Sequence, residues 1–242
     1  MRRLGWFATL TVREFLRQPG MRGWLVLAAL GCAGGWWWRD FNLGDAAPRF
    51  LADFGFGMLS LSLTLLMAIG LPAAVATEVQ SGTWAPLQVR GVRRGEMLAG
   101  KGLGFGLVAV GFAIMATTVI ALLLLLSEES DGVAGDLHWE RGAALVLKSF
   151  VVAAGALFFA SYARSPVFAT LATLLWVLVG HLRTLAVGSE GGWAVLARVV
   201  PDLSWFESDG GPLPLGWLGS YALIHVLAYG GAAIWCFKYR EL

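Results

Sequence analysis

Six long apolar stretches dominate the pattern of the chain. They run from about Met21 to Trp38, Leu51 to Ala76, Gly102 to Leu126, Gly142 to Ala163, Pro166 to Val187 and Leu215 to Phe237. The hydrocarbon core of a bilayer takes about 20 apolar residues per helix. The stretches lack the in-out alternation of barrel strands, and backbone groups in lipid must be satisfied internally, so the pattern predicts helices. Residues 2–18 read differently. Leu4, Phe7, Ala8, Thr11 and Phe15 share one helical stripe, and Thr9, Arg13 and Arg17 share another. That spacing predicts an amphipathic helix in the membrane interface, ended by Pro19-Gly20. The expected fold is one all-α integral membrane domain over 1–242, with six transmembrane helices preceded by an interfacial helix.

Composition sharpens this picture. Of 242 residues, 57% are hydrophobic and 14% charged, against roughly 45–50% and about 25% in soluble domains. Disorder and an ordinary soluble enzyme are both excluded. The net charge of +2 gives no reason to expect a nucleic-acid partner. The placement of charge says more. With the N-terminus in the cytoplasm, the inner segments hold Arg2, Arg3, Arg13, Arg17, Arg22, Arg90, Arg93, Arg94, Lys101, Arg164, Lys238 and Arg240, but only four acids, Glu14, Glu78, Glu96 and Glu241. The other side carries the remaining twelve acids. The positive-inside rule then places both termini in the cytoplasm of a cell (inner) membrane. Trp36, Trp37, Trp38, Trp139, Trp193, Trp205 and Trp217 fall near the outer face as an anchoring belt. Cys32 and Cys236 sit in apolar stretches and form no disulfide or metal framework. The stretch Ala29-Leu30-Gly31-Cys32 faintly resembles a lipoprotein cleavage site, but the apolar run continues past it and cleavage is not expected.

Two segments outside the lipid are long. The inner one runs from Thr77 to Lys101; Ser81-Gly82 ends or kinks a helix, and a short cation-flanked helix is expected in the stretch that follows, Trp84 to Val92. No nucleotide-handling body is expected in the chain. The outer one, 188–214, is expected to carry a short apolar helix through Trp193, Leu196, Val199 and Val200, ended by Pro201-Asp202 and dipping toward the membrane.

Several motifs have bland readings beside sharper ones. Gly95-x-x-x-x-Gly100-Lys101 matches the core of a phosphate loop, but Gly102 stands where Ser or Thr would hold magnesium, and an apolar span follows. Lys101 reads as a cationic anchor. His225 lies mid-span, either a functional polar site or a hydrogen-bonded bridge between helices. His181, Arg183 and Lys148 are expected to snorkel. Ser220 and His225 would be an intramembrane serine-protease pair, but five residues on one helix set them about 140° apart. Gly31-x-x-x-Gly35 and Gly100-x-x-x-Gly104 have close-packing spacing.

The order of these features resembles the membrane subunit of a type-2 ATP-binding-cassette transporter. Thr11-Val12-Arg13-Glu14-Phe15-Leu16-Arg17 is similar to the Arg-Glu-x-x-Arg stretch before that family's first span. Glu78 followed by Ser81-Gly82-Thr83 is similar to its acidic residue and Gly-Thr step. Arg93 or Arg94 with Gly100-Lys101-x-x-Gly104 is similar to its Arg…Gly-Lys-x-x-Gly segment, and Pro201-x-Leu203-x-x-Phe206 to its proline-led outer segment. Trp84-Ala85-Pro86 departs from the regular helix the family would have. The resemblance implies a permease whose inner loop contains a coupling helix docked on a separate ATPase subunit, through Glu78, Thr83, Trp84, Arg90, Arg93, Arg94 and Lys101. It implies ATP and magnesium in that partner, no cofactor and no catalytic residue in this chain, and a second permease copy or paralogue. A haem-exporter-like permease, a non-transporting membrane scaffold and, more remotely, a rhomboid-like protease are the other readings.

Overall fold

The computed structural model describes residues 2–38, 47–82, 91–126, 137–163, 165–183, 199–207 and 214–239, and among them there is no strand. The helices are α1 (Arg2–Arg17), α2 (Pro19–Trp38), α3 (Ala47–Leu65), α4 (Leu71–Gln80), α5 (Arg94–Leu126), α6 (Leu137–Tyr162), α7 (Pro166–His181) and α8 (Leu215–Tyr239). A π-helical turn, Leu66–Gly70, joins α3 to α4. Pro72 follows that turn in the first residues of α4. Proline has no N–H for the ladder and crowds the carbonyl four residues back, and a π turn re-routes the bonds there.

Among the described residues, four helical runs are long and apolar enough to cross a membrane: Pro48–Gln80, Arg94–Leu126, Trp139–Tyr162 and Leu215–Tyr239. They mark a multi-pass membrane protein. The 33 residues of α5 begin at Arg94, eight before the expected Gly102. At ~1.5 Å per residue α5 is ~50 Å long, well beyond the ~30 Å of a hydrocarbon core. The stretch Gly95–Lys101 is therefore helix, not a phosphate loop. The 20 residues of α2 are apolar but diluted by Arg22 and by glycines and tryptophans. The expected fifth span is helical for 16 residues, to His181. There the Leu182 N–H still bonds to Leu178 O, but Leu203 N–H takes Gly180 O as the chain folds back; residues 184–187 lie outside the described set.

Side-chain contacts show neighbouring helices running in alternate directions. Gly31 meets Met58 and Gly35 meets Leu51, so α2 and α3 are antiparallel. Gly55 meets Ile120 and Gly70 meets Phe105, so the α3–α4 run and α5 are antiparallel too. The helix α6 is central, packing on α8 most extensively and also on α5, α7, α3 and α4.

Both Gly-x-x-x-Gly pairs lie at helix contacts. A Cβ on Gly100 would stand 2.5 Å from Phe7 Cβ, and one on Gly104 2.5 Å from Thr11 Cβ. Absent side chains let α1 sit directly on α5, where van der Waals packing rather than water exclusion holds it. Phe7, Ala8, Thr11 and Phe15 are buried there, and Phe15 meets Phe105 edge-on at 5.7 Å. The stripe expected to face lipid is thus taken up by protein.

Gly104→Val is expected to loosen α1 and lower stability by about 1–3 kcal/mol, as overpacking does. Gly111→Ala, whose new Cβ meets nothing within 4 Å, is expected to leave stability unchanged or raise it by up to about 1 kcal/mol. Thermal unfolding in detergent, with proteolysis of the N-terminal segment, checks the pair.

Candidate functional site

Lys101 is buried between α1, α4 and α5, 6% exposed. Its Nζ lies 2.8 Å from Glu78 Oε1 and 3.9 Å from Glu14 Oε2. A buried ammonium is costly unless paired, and here the carboxylates come from two other helices. The expected cationic anchor thus sits in a three-helix junction. Arg13 and Arg17 lie on the exposed face of α1. Beyond Glu78, α4 closes as Ser81 N–H bonds to Thr77 O and Gly82 N–H to Val79 O. Gly82 has φ +66 and Gly91 has φ +74, a left-handed conformation that glycine adopts without strain. They bracket residues 83–90. Thr83, Trp84, Arg90 and the expected short helix lie outside the described residues. Arg93 sits at the start of α5, its backbone N–H capped by Glu96 Oε2 at 3.1 Å, and Arg94 opens the helix.

The other singled-out residues do not assemble. Ser220 Oγ donates to the Gly216 and Trp217 carbonyls. His225 Nδ1 bonds to Tyr221 O at 2.9 Å, within its own helix, and its ring lies 4.3 Å from Tyr221. Among the described residues it bridges no helices.

A second cluster lies at the opposite end, and the sequence reading missed it. Lys148, expected to snorkel from α6, is 3% exposed at its side chain. Its Nζ donates to Ser60 Oγ on α3 at 2.8 Å and to Glu207 Oε1 at 2.5 Å, and contacts His181 Nε2 on α7 at 3.0 Å. Ser60 Oγ also bonds to Glu207 Oε1. His181 Nδ1 lies 2.9 Å from Val177 O within its own helix. His181 Nε2 lies 3.3 Å from Glu207 Oε2. Burial opposes ionisation of Glu207, but its contacts with His181, Lys148 and Ser60 outweigh this and hold the carboxyl well below the usual carboxylate range.

Glu207 comes from the segment 199–207, which is pinned along its length. Tyr229 Oη donates to Val199 O at 3.1 Å, Arg183 to Val200 O, and Asp202 N–H to Tyr221 Oη at 2.7 Å. Val199 thus lies against Tyr229, far along α8; Trp193, Leu196 and the expected dip of the outer segment lie outside the described residues. Trp205 and Trp217 pack on Tyr221, locking the one-turn helix Ser204–Phe206 to the start of α8.

This cluster sits in a cavity of about 550 Å3 bounded by α3, α6, α7, the 205–207 turn and the start of α8. The rim carries the Asp53–Arg141 pair, 2.9 Å apart. The walls are mainly apolar, Phe56, Leu61, Leu65, Leu174 and Leu178 among them. An ionisable residue within a span is a functional signal by default, and Lys148 offered it; its acid, 59 residues on, follows no spacing rule. Comparison with protein-family models and with curated proteins finds no match.

Glu207→Gln leaves Lys148 without its carboxylate and is expected to destabilise by about 3 kcal/mol, with Lys148→Met/Glu207→Gln recovering part of the loss. The folded carboxyl ionises below the unfolded value of about 4.3, so its contribution is full above that value and is lost as pH falls through the folded value. The Tm gap between wild type and Glu207→Gln is expected to hold from about pH 8 to about pH 6 and to narrow toward about pH 3.

Proposed function

We propose that the chain is the membrane-spanning permease subunit of an ATP-binding-cassette transporter, driven by ATP that a separate ATPase subunit hydrolyses with magnesium. In this reading all six apolar helical runs span a cell membrane, α1 lies along its cytoplasmic face, both termini are cytoplasmic, and a second permease copy or paralogue completes the path. The junction of Glu14, Glu78 and Lys101 carries the proposal. Three stretches on which the family resemblance rests, far apart in sequence, share one ion-pair cluster. It ties α4, which precedes residues 83–90, to α5, which follows them. A push from a docked motor on this segment then passes to α4 and α5 together, as rigid-body coupling needs. The charges of Arg90, Arg93 and Arg94 supply the contact surface.

Reversing Arg90, Arg93 and Arg94 together to Glu is expected to abolish ATP-dependent transport, or co-purification of the ATPase, while the chain still inserts and folds. Lys101→Met is expected to weaken coupling while leaving residual ATPase binding. Co-expression with the ATPase encoded beside it, followed by pulldown and vesicle transport, checks both. Full coupling after the triple reversal, or ATP hydrolysis by the purified chain alone, overturns the proposal.

A further inference from the structure

The cavity at the Glu207 end has hydrogen-bonding capacity left over in one sense only. Its charged lining comprises Arg141 and Lys148 against Asp53, Glu140 and Glu207. The donors are engaged. The three N–H bonds of Lys148 are matched by Ser60, His181 and Glu207. Arg141 is held by Asp53 and lies 5.7 Å over the Phe56 ring. The acceptors are not all engaged. Arg141 is paired with Asp53 and Lys148 with Glu207, and among the described residues Glu140 makes no ion pair. One carboxylate is therefore in excess, in a cavity of about 550 Å3, the size of a small-molecule site.

The packing shows where a ligand enters. Both α3 and α7 pack on α6, but α7 packs on the π turn and α4 more than on α3. The two helices part toward the Glu207 end. Leu61 on α3 and Leu178 on α7 line the cavity and are also about half exposed at the surface of the bundle, 51% and 53%. The opening thus faces sideways, where acyl chains would lie, and its lips are apolar.

We propose that this cleft binds a hydrophobic amphiphile with a single ammonium head, admitted from the lipid between α3 and α7. The head is met by Glu140, and the tail lies along Leu61, Leu65, Leu174 and Leu178. An anionic head finds no uncommitted cation and meets the excess carboxylate. A neutral one leaves that charge unanswered. The inference concerns the cleft alone and does not rest on coupling to an ATPase.

Gly57 supplies the blocking variant. It lines the cavity, and a Cβ there meets nothing within 4 Å, so Gly57→Phe fills the space without disturbing α3. The chain, in nanodiscs of phosphatidylcholine, is titrated with radiolabelled dodecylammonium, dodecyl sulfate and dodecyl maltoside, with empty nanodiscs subtracted. Saturable binding of dodecylammonium alone is expected, weakened about tenfold or more in Gly57→Phe and in Glu140→Gln, with Glu140→Lys reversing the preference toward dodecyl sulfate. Equal or tighter binding of the sulfate or the maltoside by the wild type overturns the proposal. So does dodecylammonium binding that neither Gly57→Phe nor Glu140→Gln changes.

Discussion

An ammonium group enclosed among apolar helices must find a carboxylate, and two lysines impose that demand on this bundle. Lys101 draws Glu78 and Glu14 to one end, and Lys148 draws Glu207 to the other. Each pairing ties elements distant in sequence. The first joins α1, α4 and α5. The second joins α3, α6 and α7 to a segment that has already left α7. Removing a partner from such a site costs more than the pair contributes, so these links act as constraints on arrangement rather than as reserves of stability.

Close packing does the rest. Between membrane helices, small residues admit the approach that hydrophobicity cannot drive. Gly100 and Gly104 seat α1 on α5, Gly31 and Gly35 seat α2 on α3, and Gly155 lies under the Trp176 ring. The separation of α3 from α7 leaves the cavity that Lys148, His181 and Glu207 border, closed above by Trp205 and Phe206. The ends of the bundle therefore differ in kind. One carries the Lys101 ion-pair cluster, and the other the cavity lined by Lys148, His181 and Glu207.

What the chain declares linearly is its helical character, its apolar stretches and its small-residue contacts. Burial of Phe7, Ala8, Thr11 and Phe15 follows the 3.6-residue stripe of α1, and the break at Ser81-Gly82 follows from local chain chemistry, because both are set within a turn or two of helix. The same local logic missed the π turn before Pro72, where the continuous apolar pattern hides a change of hydrogen-bond register. It also started α5 too late, because glycine and lysine read as loop residues until a neighbouring helix buries them.

The charge clusters belong to the tertiary structure. Whether Lys148 reaches out to headgroups or inward to an acid depends on which side chain lies opposite, and Glu207 is brought there by the fold-back after α7. The pattern of the chain by itself settled that this is a helical multi-pass membrane protein, since length and hydropathy act residue by residue. Only the packed bundle decided which lysine meets which carboxylate and where a cavity remains, since both depend on distances between helices that no spacing along the chain encodes.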